Sequence, residues 1–151
     1  MDLEVDQSGR IEESGPTAIA VSNGKHRTTL LSARVKREVF GRLRRMGNSS
    51  KRACVRTFAA GVFLTILPVC DSNTRIAIDL EYPGYEATIK SMLLRWGQKA
   101  GVSVPPESIS FRQIGRSSPA HHRAYHVFRK TQEPDRVLSV ADLMDLLGEK
   151  K

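Results

Sequence analysis

Leu3 and Val5 alternate with Glu4 and Asp6, the period-two pattern of a half-buried strand, which predicts a first strand over 3–6. Gln7, Ser8 and Gly9 are turn residues, and the polar residues 10–15 either prolong that strand or form the connection. A second apolar run, 17–22, closes on Asn23 and Gly24, both tolerant of positive φ and so suited to a tight hairpin. The third strand is predicted over 26–31. The chain therefore opens as an antiparallel three-strand meander.

The period then changes to that of a helix. Val35, Val39, Leu43 and Met46 form one apolar stripe behind Ser32 as N-cap, with Gly47 just past the end. Ser49 or Ser50 starts a second segment, about 51–67, that Pro68 ends. It is apolar on more than one face, which predicts a deeply buried helix, with a strand inside it as the alternative. Its greasiest part, 58–70, is too short for a bilayer and reads as core.

A buried strand, Ile76 to Ile78, follows and presents Asp79 and Glu81 at its end. At i and i+2 an extended backbone points both carboxylates to one side. Pro83 and Gly84 break the strand, and Tyr85, Ile89, Met92, Leu93, Trp96 and Ala100 stripe a helix ended by Gly101. After the Pro105–Pro106 loop, 108–114 alternates as a strand. Ser118 and Pro119 then open a helix carrying His121, His122, Tyr125 and His126. A last helix runs from Ser139, with Asp142 as its capping-box acid, to Gly148, and a frayed tail is expected beyond it. No internal repeat is visible, so one domain over 1–151 is expected.

Charge changes the picture. A formal net charge of +8 over 151 residues favours a polyanionic partner such as nucleic acid, with no membrane role expected. The densest basic run is Lys36, Arg37, Arg42, Arg44, Arg45, Lys51, Arg52 and Arg56, with Glu38 as its one acid. Arg42, Arg44, Arg45 and Arg52 are the expected phosphate contacts, although a solvated helix face explains such a run as well. Aromatic residues make up only 6 % and fall at core-like positions such as Phe58, Phe63 and Trp96, which argues against recognition by base stacking. Cys54 and Cys70 lack metal-ligand spacing and read as buried thiols; with no leader pattern at the start, a cytoplasmic location is expected.

The candidate chemistry lies in the acids. Two neighbouring carboxylates repel unless a cation or proton sits between them, so Asp79 and Glu81 point to a site more than to a solvated strand end. Asp6 reads either as a metal ligand or as an Asx cap of its turn. Glu38 stands four residues before Arg42 and is equally explained as a surface ion pair. His122 and His126 have zinc spacing, without the glutamate or the Cys/His partners of known zinc sites.

Three antiparallel strands, then helix, strand, helix, strand, helix, with Asp6 ending the first strand and Asp79 the fourth, resembles the ribonuclease H-like superfamily. The last segment, 115–124, is most similar to that of the Holliday-junction resolvase branch. The resemblance implies an α/β fold with a mixed five-stranded sheet and an extra buried segment near 51–70. It further implies divalent-metal phosphodiester hydrolysis, with Mg²⁺ or Mn²⁺ as cofactor. By that resemblance Asp6, Asp79, Glu81 and His121 are the metal ligands, and Glu38 matches the glutamate carried on the first helix. His121 stands where the superfamily usually has an aspartate, and imidazole suits Mn²⁺ better than Mg²⁺. The alternative is a non-catalytic nucleic-acid or protein interaction module on the same fold.

Overall fold

β1 (Leu3–Ser8) lies at the centre of a mixed sheet because it is flanked by β2 (Thr17–Ser22), antiparallel, and by β4 (Ile76–Asp79), parallel. The structure is a computed structural model that describes residues 2–148, so the expected frayed tail lies outside the described residues. β3 (Arg27–Leu31) completes the antiparallel meander, and β5 (Ile109–Arg112) adds in parallel beyond β4. The sheet order is β5-β4-β1-β2-β3-β6. A meander followed by parallel strands delivered through helices is consistent with ribonuclease H-like topology. The sheet has six strands rather than the expected five, because the short β6 (Arg136–Val137) pairs in parallel with β3. Asn23 and Gly24 both take positive φ, 91° and 115°, as the hairpin between β2 and β3 requires.

The helices are α1 (Ala33–Arg45), α2 (Ser50–Ile66), α3 (Glu86–Lys99), α4 (Pro119–Phe128) and α5 (Val140–Leu147). Ser32 caps α1 by accepting from the Val35 N–H, Ser49 caps α2, and Ser139 with Asp142 forms a complete capping box on α5.

Leu3, Val5, Ile19, Val21, Ile76 and Ile78 point to one side of the sheet and build the main core with residues of α1, α2, α3 and α5. α2 is the centre of that core and is a helix throughout, continued by a 3₁₀ turn at Leu67–Val69. Ser50–Val69 spans 20 residues, so it is long and apolar enough to cross a membrane, against the expectation of a stretch too short; 67 % of its most apolar window is buried inside the domain. Its hydroxyls are satisfied internally: Thr57 Oγ1 donates to the Ala53 carbonyl at 2.8 Å and Thr65 Oγ1 to that of Gly61 at 2.7 Å.

The other side of the sheet belongs to α4, which crosses β1 and β2. Beside Asp6 and Ser8 on this face stand the small Ala20 and Ala18 of β2, and α4 answers with the buried Ala120 and Ala124. Small residues on both surfaces bring the helix close to the sheet. Asp6 and Asp79 alternate with Val5 and Ile78, so they point to the α4 side.

Candidate metal centre

β1 and β4 run parallel with Val5 opposite Ile78, so Asp6 and Asp79 are the next positions on adjacent strands. Asp79 is the last residue of β4, at the carboxyl end where open α/β sheets place ligands, whereas β1 runs past Asp6: Gln7 and Ser8, expected as turn residues, pair with Ile19 and Ala18 of β2. Asp6 is 5 % exposed; its Oδ1 accepts from the Gln7 N–H at 2.8 Å and its Oδ2 lies 3.0 Å from Nδ1 of His121 on α4. Asp79 Oδ1 accepts from the Ile114 N–H at 2.8 Å.

Glu81 reaches the site by a route the sequence pattern did not show. β4 ends at Asp79, and the Glu81 N–H donates back to the Asp79 carbonyl at 2.9 Å. This i-to-i+2 hydrogen bond closes a γ-type turn at Leu80 in place of the expected extended backbone. The result is compact: ligand oxygens of Asp6, Asp79 and Glu81 lie within 4.8 Å of one another.

Burial and crowding shift the protonation of Asp6 and Glu81. Burial, then the Asp79 charge, raises Asp6 to about 6, while the hydrogen bond from His121 pulls the other way. Burial, then a hydrogen bond shared with Asp79 and that group's charge, raises Glu81 to about 8. A divalent cation satisfies the same negative charge that the proton otherwise neutralises. An all-oxygen set suits Mg²⁺ or Mn²⁺, whose octahedral ligands at about 2.1 Å from the ion stand about 3–4 Å apart. The carboxylates present fit such an ion.

His121 stands outside that set of oxygens and holds Asp6 from behind. Expected as a ligand, it contacts Asp6 and is not among the three residues whose ligand atoms cluster. Glu38, also expected at the site, lies on the exposed face of α1 with Oε2 3.0 Å from Arg42 Nε, the surface pair that its spacing allows. His122 and His126 belong to no metal-binding group among the described residues.

The basic run divides. Lys36 is buried, with Nζ donating to the Arg10 carbonyl and Thr17 Oγ1, each at 3.0 Å, and burial lowers its pKa. Arg56 donates to Asn48 Oδ1 and to the Leu147 carbonyl, tying α2 to α5. Arg44 donates to the Asn48 carbonyl, and Arg42, Arg44, Arg45 and Arg52 are all exposed.

Sequence reasoning missed Arg10 and Glu4. Arg10 Nη2 donates to the Glu81 carbonyl at 3.0 Å and lies 3.8 Å from its carboxylate, while Nε pairs with Glu12 at 2.9 Å. It sets one positive charge at the lip of the acidic cluster. Glu4 accepts from Ser118 Oγ at 2.7 Å and pairs with Arg112 at 2.8 Å, which fixes the start of α4 beside β1. Its period-two relation to Asp6 was the available signal. A cavity of about 470 Å³ lies elsewhere, between residues 11–14 and helices α1 and α2, and none of Asp6, Asp79 and Glu81 lines it.

Set against known protein families, characterised proteins and solved structures, the chain matches none. Fold and site together define a mixed α/β domain, consistent in topology with the ribonuclease H-like fold, whose acidic cluster could hold a divalent ion.

Proposed function

We propose that this protein belongs to the ribonuclease H-like nucleases and hydrolyses phosphodiesters in nucleic acid with Mg²⁺ or Mn²⁺ held by Asp6, Asp79 and Glu81. The observation that carries this reading is the convergence of three carboxylates from two adjacent parallel strands and the turn that follows β4. When bound, the metal supplies Lewis-acid activation of water and stabilises the departing oxygen. The protein's own share is orientation. The Gln7 N–H and His121 fix Asp6, the Ile114 N–H fixes Asp79, and Arg10 holds the Glu81 backbone while partly offsetting the charge. The net charge of +8 supports a polyanionic substrate.

One departure favours a second reading, a binding module without catalysis: an imidazole stands at 121 in place of a fourth carboxylate. Cleavage of labelled duplex, hybrid and branched substrates with Mg²⁺ or Mn²⁺ separates the two. The nuclease reading expects wild type to cleave at least one of them and Asp79→Asn to bind but not cleave. Tight binding by wild type with no cleavage under either metal selects the binding module. Normal cleavage by Asp79→Asn refutes the site assignment.

A further inference from the structure

α4 carries a second group of functional side chains beyond the carboxylates. Arg116, His121, His122, Tyr125 and His126 line a cavity of about 260 Å³ on its outer side. From Gln113 to Gln132 the chain has no acid, while Arg116, Arg123, Arg129 and Lys130 are all basic. Tyr125 is 42 % exposed, one of few large apolar side chains left on the surface among the described residues. The Arg129 guanidinium lies over one face of its ring, 5.8 Å from the centroid, with Nη1 donating to Tyr125 Oη at 3.5 Å, and the His126 imidazole meets the ring in a T-shaped contact, centroids 5.6 Å apart. His121 lines this cavity with its ring while its Nδ1 contacts Asp6, so cavity and acidic cluster share one wall.

We propose that this cavity is a subsite for an unpaired nucleotide. The base stacks on Tyr125, and Arg116 with His122 contacts the phosphate on the side toward Asp6. Aromatic faces bind bases regardless of sequence, whereas a base inside a duplex keeps its face covered by its neighbours. The subsite therefore selects single-stranded or locally unpaired DNA or RNA, and it locates base contacts on α4 although the aromatic composition argued against stacking. This inference deepens the proposed nuclease reading but rests on it only for the fate of the bound strand.

The test is binding of a fluorescein-labelled single-stranded oligonucleotide in EDTA, as DNA and as RNA, beside the same DNA sequence as a blunt duplex. Tyr125→Ala is expected to weaken single-strand binding about tenfold, Tyr125→Phe to preserve it, and duplex affinity to stay within about twofold. Arg116→Ala is expected to weaken binding and flatten its salt dependence. The better-bound of the DNA and RNA arms identifies the source of the nucleotide. The subsite is refuted if wild type ignores single strands, if Tyr125→Ala binds them normally, or if it loses duplex binding equally. Selective loss in Tyr125→Ala upholds the subsite even where wild type cleaves nothing with Mg²⁺ or Mn²⁺, a result that overturns the nuclease reading alone.

Discussion

Nδ1 of His121 lies 3.0 Å from Oδ2 of Asp6, two residues 115 positions apart in the chain. The contact joins α4 to the central strand at the point where the carboxylates meet. Partners that orient a metal ligand typically contribute 10–100-fold to affinity. His121→Ala is accordingly expected to weaken Mn²⁺ binding by about tenfold or more, measured by calorimetric titration, while leaving the circular dichroism spectrum unchanged. Unaltered Mn²⁺ affinity in His121→Ala would show that the contact has no bearing on metal.

The acidic cluster makes the metal-free protein sensitive to pH. Asp6 is raised from 3.8 to about 6 and Glu81 from 4.5 to about 8, so both hold a proton more tightly when folded than when unfolded. The associated stability is complete below the unfolded values, near pH 4, and is lost as pH rises through about 6 and then about 8. For Asp6 alone the loss is on the order of 2–3 kcal/mol. Burial is the larger cause in both, and Asp79 adds like-charge repulsion that His121 and Arg10 partly offset. In EDTA, Tm is expected to fall between about pH 5 and pH 8, and Mn²⁺ is expected to raise Tm more at the upper end. A flat Tm profile with no metal response across that range would mean that the carboxylates are not crowded.

Gly9 turns the chain out of β1 at φ +75°, and a Cβ there runs into the Pro16 carbonyl oxygen and the Phe128 ring of α4. Gly9→Ala combines a left-handed backbone with a clash against the helix that carries His121. It is expected to destabilise by about 2 kcal/mol or more, seen as a lower midpoint in urea. A midpoint equal to that of wild type contradicts the packing of α4 against this turn.

The exposed arginines of α1 and α2 offer phosphate contact of a different kind from the α4 cavity. Arg42 is held by Glu38 and Arg44 by the Asn48 carbonyl, so each must partly release its partner to reach a phosphate. Neutralising Arg42, Arg44, Arg45 and Arg52 together is expected to lower the log–log salt slope on duplex DNA by about 0.9 for each phosphate that is no longer neutralised. No change in slope would confine phosphate contact to other surfaces, α4 among them.

Much of the fold was legible in the chain because its signals are local. Alternation in Leu3–Asp6, the Asn23–Gly24 turn and the stripe of α1 each lie within a few residues, and the structure follows them. Asp79 was legible for the same reason, as the end of an apolar strand, and Asp6 as a polar position alternating with Val5, although β1 continues past it to Ser8. β6 was not, since two residues, Arg136 and Val137, carry no period and pair only because β3 offers an edge. Lys36 sits in a basic run, yet its burial depends on the Arg10 carbonyl and Thr17 arriving from another segment. The turn at Leu80, the reach of Arg10 to Glu81 and the place of His121 behind Asp6 are matters of how separate segments meet. Which residue types stand at the strand ends, and which faces are apolar, follows from the chain alone, because backbone periodicity acts over a few residues. Which charges meet does not, because that depends on how β1, β4 and α4 pack together in space, and no local pattern encodes it.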